Sequence, residues 1–180
     1  MAAEILVNGH PFQTTLNLNA ALQNFRDIIP GVRLWVDAIC VNQNDLAERG
    51  QQVQLMKSIY SRAEETYVWL GIQSNDSDKA IDFMELLAAR YRDCIARTPV
   101  GGKANFGTFE STVSWDVVKS FAALERLLVR PWWDRVWIVQ EIVVPRSISL
   151  HCGNRSFSWV VIRQACFLLQ FLREDLREIF

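Results

Sequence analysis

The apolar positions of this chain change their spacing several times, and each change marks a predicted element. In "EILVNGHPFQTT" (residues 4–15) apolar residues flank Asn8-Gly9, a dipeptide suited to the positive φ values of a tight turn, which predicts a β-hairpin. Leu18, Ala21, Leu22 and Phe25 then recur at helical spacing, with Asn17 as the expected N-cap and Pro30-Gly31 as the stop. Residues 34–36, "LWV", form a continuous apolar run and predict a strand covered on both faces. Asp45, with Glu48 three residues on, predicts a capping box for a helix burying Leu46, Val53, Met56, Ile59, Tyr60 and Ala63. "TYVWLG" (residues 66–71) reads as the next strand. Helix, strand, helix and strand joined by short loops over residues 17–71 imply a right-handed crossover and a parallel sheet.

The second half continues the alternation. "SNDSD" (residues 74–78) supplies caps for a helix turning Ile81, Met84, Leu87, Ala88 and Tyr91 inward. Residues 98–112 are rich in glycine and turn formers and predict a variable loop. Ser114 is the expected cap of a helix aligning Val117, Phe121, Leu124 and Leu128. A tryptophan-rich helix is predicted after Pro131 (block 130–143), then a third strand at 147–153, a turn at "NRSFS" and a closing helix over 158–180. No repeat or linker divides the pattern, so one domain over residues 1–180 is expected: a hairpin (4–15), a first core block (34–71) and the elements above.

Composition narrows the function. With 180 residues, half of them hydrophobic, the chain is long enough to bury a substantial core. Its 19 basic and 20 acidic residues give a net charge of −1 and no basic stripe, so no nucleic-acid partner is expected. Four cysteines without a C-x-x-C pair, and only two histidines, make no plausible zinc set, so no metal is expected. No signal peptide opens the sequence, which predicts a cytoplasmic location and reduced thiols. "WVVIRQACFLLQFL" is interrupted by Arg163, Gln164 and Gln170 and is too short for a bilayer, so no membrane span is expected. "VGGKANFG" lacks P-loop spacing, and no glycine-rich dinucleotide fingerprint is present.

One polar cluster stands where an apolar run ends. In "LWVDAICVNQ" the run meets Asp37, Cys40, Asn42 and Gln43, and parallel sheets bind ligands beyond the carboxyl ends of their strands. Asp37 is thus a rim candidate; its alternative role is to orient loop amides. Asn42 and Gln43 suit bonds to the turn's own backbone, and Cys40 suits a small buried apolar residue. Arg49 faces either a carboxylate ligand or Asp37.

"LWVDAICVNQNDLAERGQQVQLMKSIYSRAEETYVWLG" and "RPWWDRVWIVQEI" resemble the two signature blocks of the fungal heterokaryon-incompatibility (HET) domain, and "ILVNGHPFQTTLNLNAAL" resembles the hairpin and helix before them. The resemblance spans residues 4–160 and implies an α/β fold, mainly a parallel sheet flanked by helices in a TIR- or flavodoxin-like three-layer arrangement with an added N-terminal hairpin. It also implies that the family's first strand, which precedes the hairpin, is missing here. Members are thought to trigger cell death in fungal non-self recognition, which implies signalling by self-association or contact with other cell-death proteins. Some related TIR domains cleave NAD with a carboxylate four residues after a tryptophan on a helix. That likeness makes Glu141 the catalytic candidate, Trp137 and Gln140 its neighbours, and NAD the candidate substrate, with Asp37, Asn42, Gln43 and Arg49 lining the rim. A carboxylate there would stabilise an oxocarbenium-like ribose. The structural alternative is that Glu141 pairs with Arg135 or another arginine to hold the tryptophan helix. A third reading is a truncated relative that folds without either activity.

Overall fold

A computed structural model of the chain describes residues 2–74, 76–102 and 115–179. Its first elements are β1 (Ala2–Val7) and β2 (His10–Thr15), an antiparallel hairpin pairing Val7 with His10. Asn8 (φ 53°) and Gly9 (φ 81°) both occupy the left-handed region, as a type I′ turn demands. Helix α1 (Leu16–Ile28) is capped by Thr15, whose hydroxyl accepts from the Leu18 N–H at 3.1 Å. The expected cap, Asn17, is already helical, and its Oδ1 instead accepts from the Trp69 indole at 3.2 Å.

The strand expected at residues 34–36 does not form. Leu34, Trp35 and Val36 are half-buried and Val36 is extended, yet no ladder pairs them, and the chain passes into the single turn of α2 (Asp37–Cys40). Side-chain packing holds this run, with Trp35 edge-on to Tyr60 at 6.4 Å. The crossover predicted over 17–71 is therefore absent among the described residues. Asp45 caps α3 (Leu46–Arg62) as expected, accepting from the Ala47 and Glu48 amides at 2.9 and 3.1 Å. Glu48 departs from the capping box by accepting from the Asn42 amide. Leu46 and Val53 are exposed and only Met56 is buried, because α3 packs through its second half.

The main sheet is mixed rather than mainly parallel. β3 (Thr66–Trp69) runs parallel to β4 (Ile148–Cys152), and β4 runs antiparallel to β5 (Arg155–Ser158). The "NRSFS" turn is thus a strand: the turn is Gly153-Asn154, and Phe157 points in between exposed Ser156 and Ser158. Gly153 (φ 55°) is required on two counts, since a Cβ there would lie 2.7 Å from the Gln73 Cβ.

Alternation sorts the sheet's two faces. Thr66, Val68 and Leu70 with Ile148, Leu150 and Cys152 are buried on one face, in a core shared with α4 (Ser77–Arg97), α5 (Trp115–Leu128) and α7 (Trp159–Ile179). Helix α4 buries Ile81, Met84, Leu87 and Ala88 as expected. On α5 the buried face is turned from the predicted one: Ala123, Leu124 and Leu127 are inside, while Phe121 and Leu128 are exposed. Ser114 and residues 103–112 of the predicted variable loop lie outside the described residues. The single tryptophan-rich helix divides into a 3-10 turn, Pro131–Asp134, and α6 (Ile138–Val143), because Arg135 leaves helical geometry at φ −73°, ψ 134°. No described helix is long and apolar enough to cross a membrane.

Tyr67, Trp69 and His151 line the sheet's other face, where Phe25 of α1 meets them with ring centroids 5.4, 6.0 and 5.1 Å away. Asn24 ties the same helix to the Gly153 carbonyl at 2.9 Å. His151 is buried; its Nε2 lies 2.9 Å from Ser149 Oγ and its Nδ1 has no hydrogen-bond partner. Burial holds the imidazole's pKa below its ordinary value, outweighing the opposing pull of Glu65. The unfolded chain therefore binds the proton more readily than the folded one. This contribution to stability is complete above the ordinary histidine value, near 6.5, and is lost as pH falls from there through the lowered folded value. Melting temperature measured from pH 7.5 down to about 5 should fall, and His151→Phe should flatten that slope; equal slopes in both proteins would contradict this account.

Candidate functional site

The block 130–143 is built around a break. Pro131 opens the 3-10 turn with a φ already suited to it, and the turn places Trp132 in the core, 6% exposed. Beyond the break, α6 brings Glu141 back beneath it, 4% exposed. The Trp132 indole Nε1 donates to Glu141 Oε2 at 2.8 Å, so the buried carboxylate receives a hydrogen bond from nine residues upstream. Arg135 sits at the break with its side chain 44% exposed. Its guanidinium lies 3.2 Å from Glu141 Oε1 and 3.9 Å from Asp37 Oδ2. The contact with Glu141 is an ion pair without hydrogen-bond alignment, so Oε1 receives no donor.

Asp37 enters from α2. Its Oδ1 accepts from the Ala38 amide at 2.8 Å, and its backbone carbonyl accepts from the Gln43 side chain at 2.9 Å. Tyr60 of α3 completes the group. Burial, then the charges of Glu141 and Asp37, raise its pKa well above the ordinary phenol value, against the opposing Arg135. The phenol is therefore a permanent O–H donor at physiological pH.

Asp37, Arg135, Glu141 and Tyr60 thus converge, with Gln43 supporting the Asp37 backbone. Asn42 forms an Asx turn, accepting from the Asn44 amide at 3.1 Å, while its own amide donates to Glu48. Trp137 is the N-cap of α6, and its carbonyl accepts from the Glu141 amide at 3.1 Å, so the four-residue spacing is helical as expected. Trp137 is exposed, and the tryptophan whose side chain bonds the Glu141 carboxylate is Trp132. Gln140 carries a buried Oε1 with no hydrogen-bond partner. Arg49 is exposed on the first turn of α3 and forms no ion pair with Asp37 or Glu141. Cys40, expected to be buried, is exposed.

The pair with Arg135, one of the arginines open to Glu141 in the structural alternative, forms, while Trp132 and Tyr60 were not read from the sequence as its neighbours. The break at Arg135 folds Trp132 back toward Glu141 where a continuous helix would separate them, and the apolar spacing of the block carries no signal of it. No group of three or more His, Cys, Asp or Glu able to hold a metal occurs among the described residues. Chemically, the arrangement ties three segments together. It also leaves Glu141 Oε1 buried with Arg135 as its counter-charge and no hydrogen-bond donor.

Glu141→Ala removes both the indole's acceptor and Arg135's nearer counter-ion. It should cost about 2–3 kcal/mol, lowering the melting temperature by roughly 5–10 °C for a chain of this length. Glu141→Gln retains an acceptor for the indole and should lose about half as much. An unchanged calorimetric melting temperature in Glu141→Ala would contradict the tie.

Comparison with known proteins follows the same blocks. Residues 1–141 match the family model of the heterokaryon incompatibility protein (HET). A curated relative, heterokaryon incompatibility protein 6, OR allele, of Neurospora crassa, is 25% identical over 171 residues, covering 82% of this chain and 25% of the relative. The chain thus spans about a quarter of that protein's length. No solved structure matches. With the family model aligned from the hairpin through Glu141, the chain belongs to the heterokaryon incompatibility (HET) family.

Proposed function

We propose that the chain is a signalling and effector module of fungal non-self recognition and regulated cell death, acting through self-association or partner contact. Family membership is the observation that carries this reading. The geometry favours contact over chemistry: the residues of the two signature blocks are engaged with one another, as Glu141 with Trp132 and Arg135 with both carboxylates. We read the fold as distantly TIR-like, with α1 on one face of the sheet and α4, α5 and α7 on the other.

A second reading is a TIR-type NAD glycohydrolase. What favours it is Glu141 Oε1, buried and without a hydrogen-bond donor, beside the protonated Tyr60 phenol. In that reading Glu141 stabilises the ribose cation left as nicotinamide departs, and Asp37 with Arg135 lines the site.

Inducible expression in a filamentous fungus separates the readings. The signalling reading predicts cell death with the wild-type chain and with Glu141→Gln, and no nicotinamide release from NAD by the purified protein. Nicotinamide release that Glu141→Gln abolishes while the variant remains folded at the assay temperature would establish the enzyme instead. Accumulation of the wild-type chain with full viability would sink the signalling reading.

A further inference from the structure

The hairpin's two outer edges are not equivalent. A two-residue turn makes Val7 and His10 the pair that exchanges backbone hydrogen bonds, and alternation makes Ile5–Phe12 and Ala3–Thr14 the next such pairs. The backbone N–H and C=O groups of Ala2, Glu4 and Leu6 therefore point away from β2, and Pro11, Gln13 and Thr15 point away from β1. On β2 the outer edge is blunted by Pro11, which has no N–H, and by the chain's immediate entry into α1. On β1 no proline, lysine or bulge interrupts the edge. Its Ala3, Ile5 and Val7 are half-buried, while Ala2, Glu4 and Leu6 are exposed, Leu6 by 73%. An unblunted edge is a template for another strand, and a two-stranded ribbon in water gains by acquiring one.

We infer that β1 is a self-association edge, at which the β1 strands of two copies pair antiparallel about a two-fold axis and join their hairpins into one continuous sheet. The inference rests on the self-association reading above and names its surface. The occupant is a second copy because β1 is complementary to itself, and the Ile5-centred register makes more ladder bonds than a Leu6-centred one, which would set Glu4 against the left-handed Asn8. Centred on Ile5, that register sets Ile5 opposite its own counterpart, Ala3 opposite Val7 and Glu4 opposite Leu6, so the apolar row on the α1 side crosses the seam unbroken. Centring on Glu4 would instead set two carboxylates face to face. In the favoured register only Glu4 and Leu6 of each copy contribute ladder bonds. Association is therefore weak and concentration-dependent, as suits a module that assembles on local crowding.

Sedimentation equilibrium of the full chain, from micromolar to near-millimolar concentration, tests this. Leu6→Pro deletes an outward N–H without touching the bonds to β2, and Leu6→Lys places a charge on the edge while leaving the backbone intact. The wild type should gain mass with concentration, and both variants should associate at least about ten-fold more weakly at unchanged melting temperature. Val139→Asp, on the exposed valine stripe of α6, should associate like the wild type. Association that survives Leu6→Lys, or that vanishes in Val139→Asp, would overturn the edge while leaving self-association standing. A wild-type chain monomeric throughout the range would overturn both. Should Leu6→Pro disturb the hairpin by circular dichroism, Leu6→Lys decides.

Discussion

A hydrogen bond from the Trp132 indole to the Glu141 carboxylate closes the tryptophan-rich block on itself, and much of the chain's arrangement follows from it. A buried carboxylate needs donors or a counter-charge to offset its lost hydration. The indole supplies one and Arg135 the other, and both are available only because the segment breaks after Asp134. Arg135 then reaches Asp37, while Tyr60 packs beside Trp35 and feels both carboxylates. The first signature block is thereby fastened to the second, although the extended run at residues 34–36 pairs with no strand.

The sheet is held by a separate set of contacts. Its inner face closes over α4, α5 and α7, and its outer face is clamped by Phe25 between aromatic rings and the buried His151. Asn17 and Asn24 fix the ends of that clamp, one through Trp69 and one through the Gly153 carbonyl. The hairpin packs against α1, the helix that sets Phe25 onto His151.

Local signals were legible wherever they were complete within a few residues. Asn8-Gly9 announced its turn, Asp45 its cap and the α4 stripe its buried face. What could not be read depended on neighbours far along the chain. The "LWV" run has a strand's composition, but a strand exists only if another lies beside it, and composition does not say so. Gly153-Asn154 turned "NRSFS" into a strand because β4 was there to receive it. At the site, Glu141, Asp37 and Arg135 could be named from motif and spacing. Trp132 could not, because the apolar spacing of the block suits a continuous helix and the corner at Arg135 is set by packing. Arg49 was expected near the carboxylates on the strength of its charge, yet the start of α3 carries it into solvent.

The chain belongs to the heterokaryon incompatibility (HET) family, and the geometry gives Trp132 a physical task independent of any substrate. The central claim is that Trp132 and Glu141 act as a coupled pair. A double-mutant cycle measures this directly: Trp132→Phe, Glu141→Ala and the double variant compared by denaturant unfolding. A coupling energy of about 1–2 kcal/mol is the expected result. Additivity within about 0.3 kcal/mol would contradict the account, because the two side chains would then stabilise the fold independently.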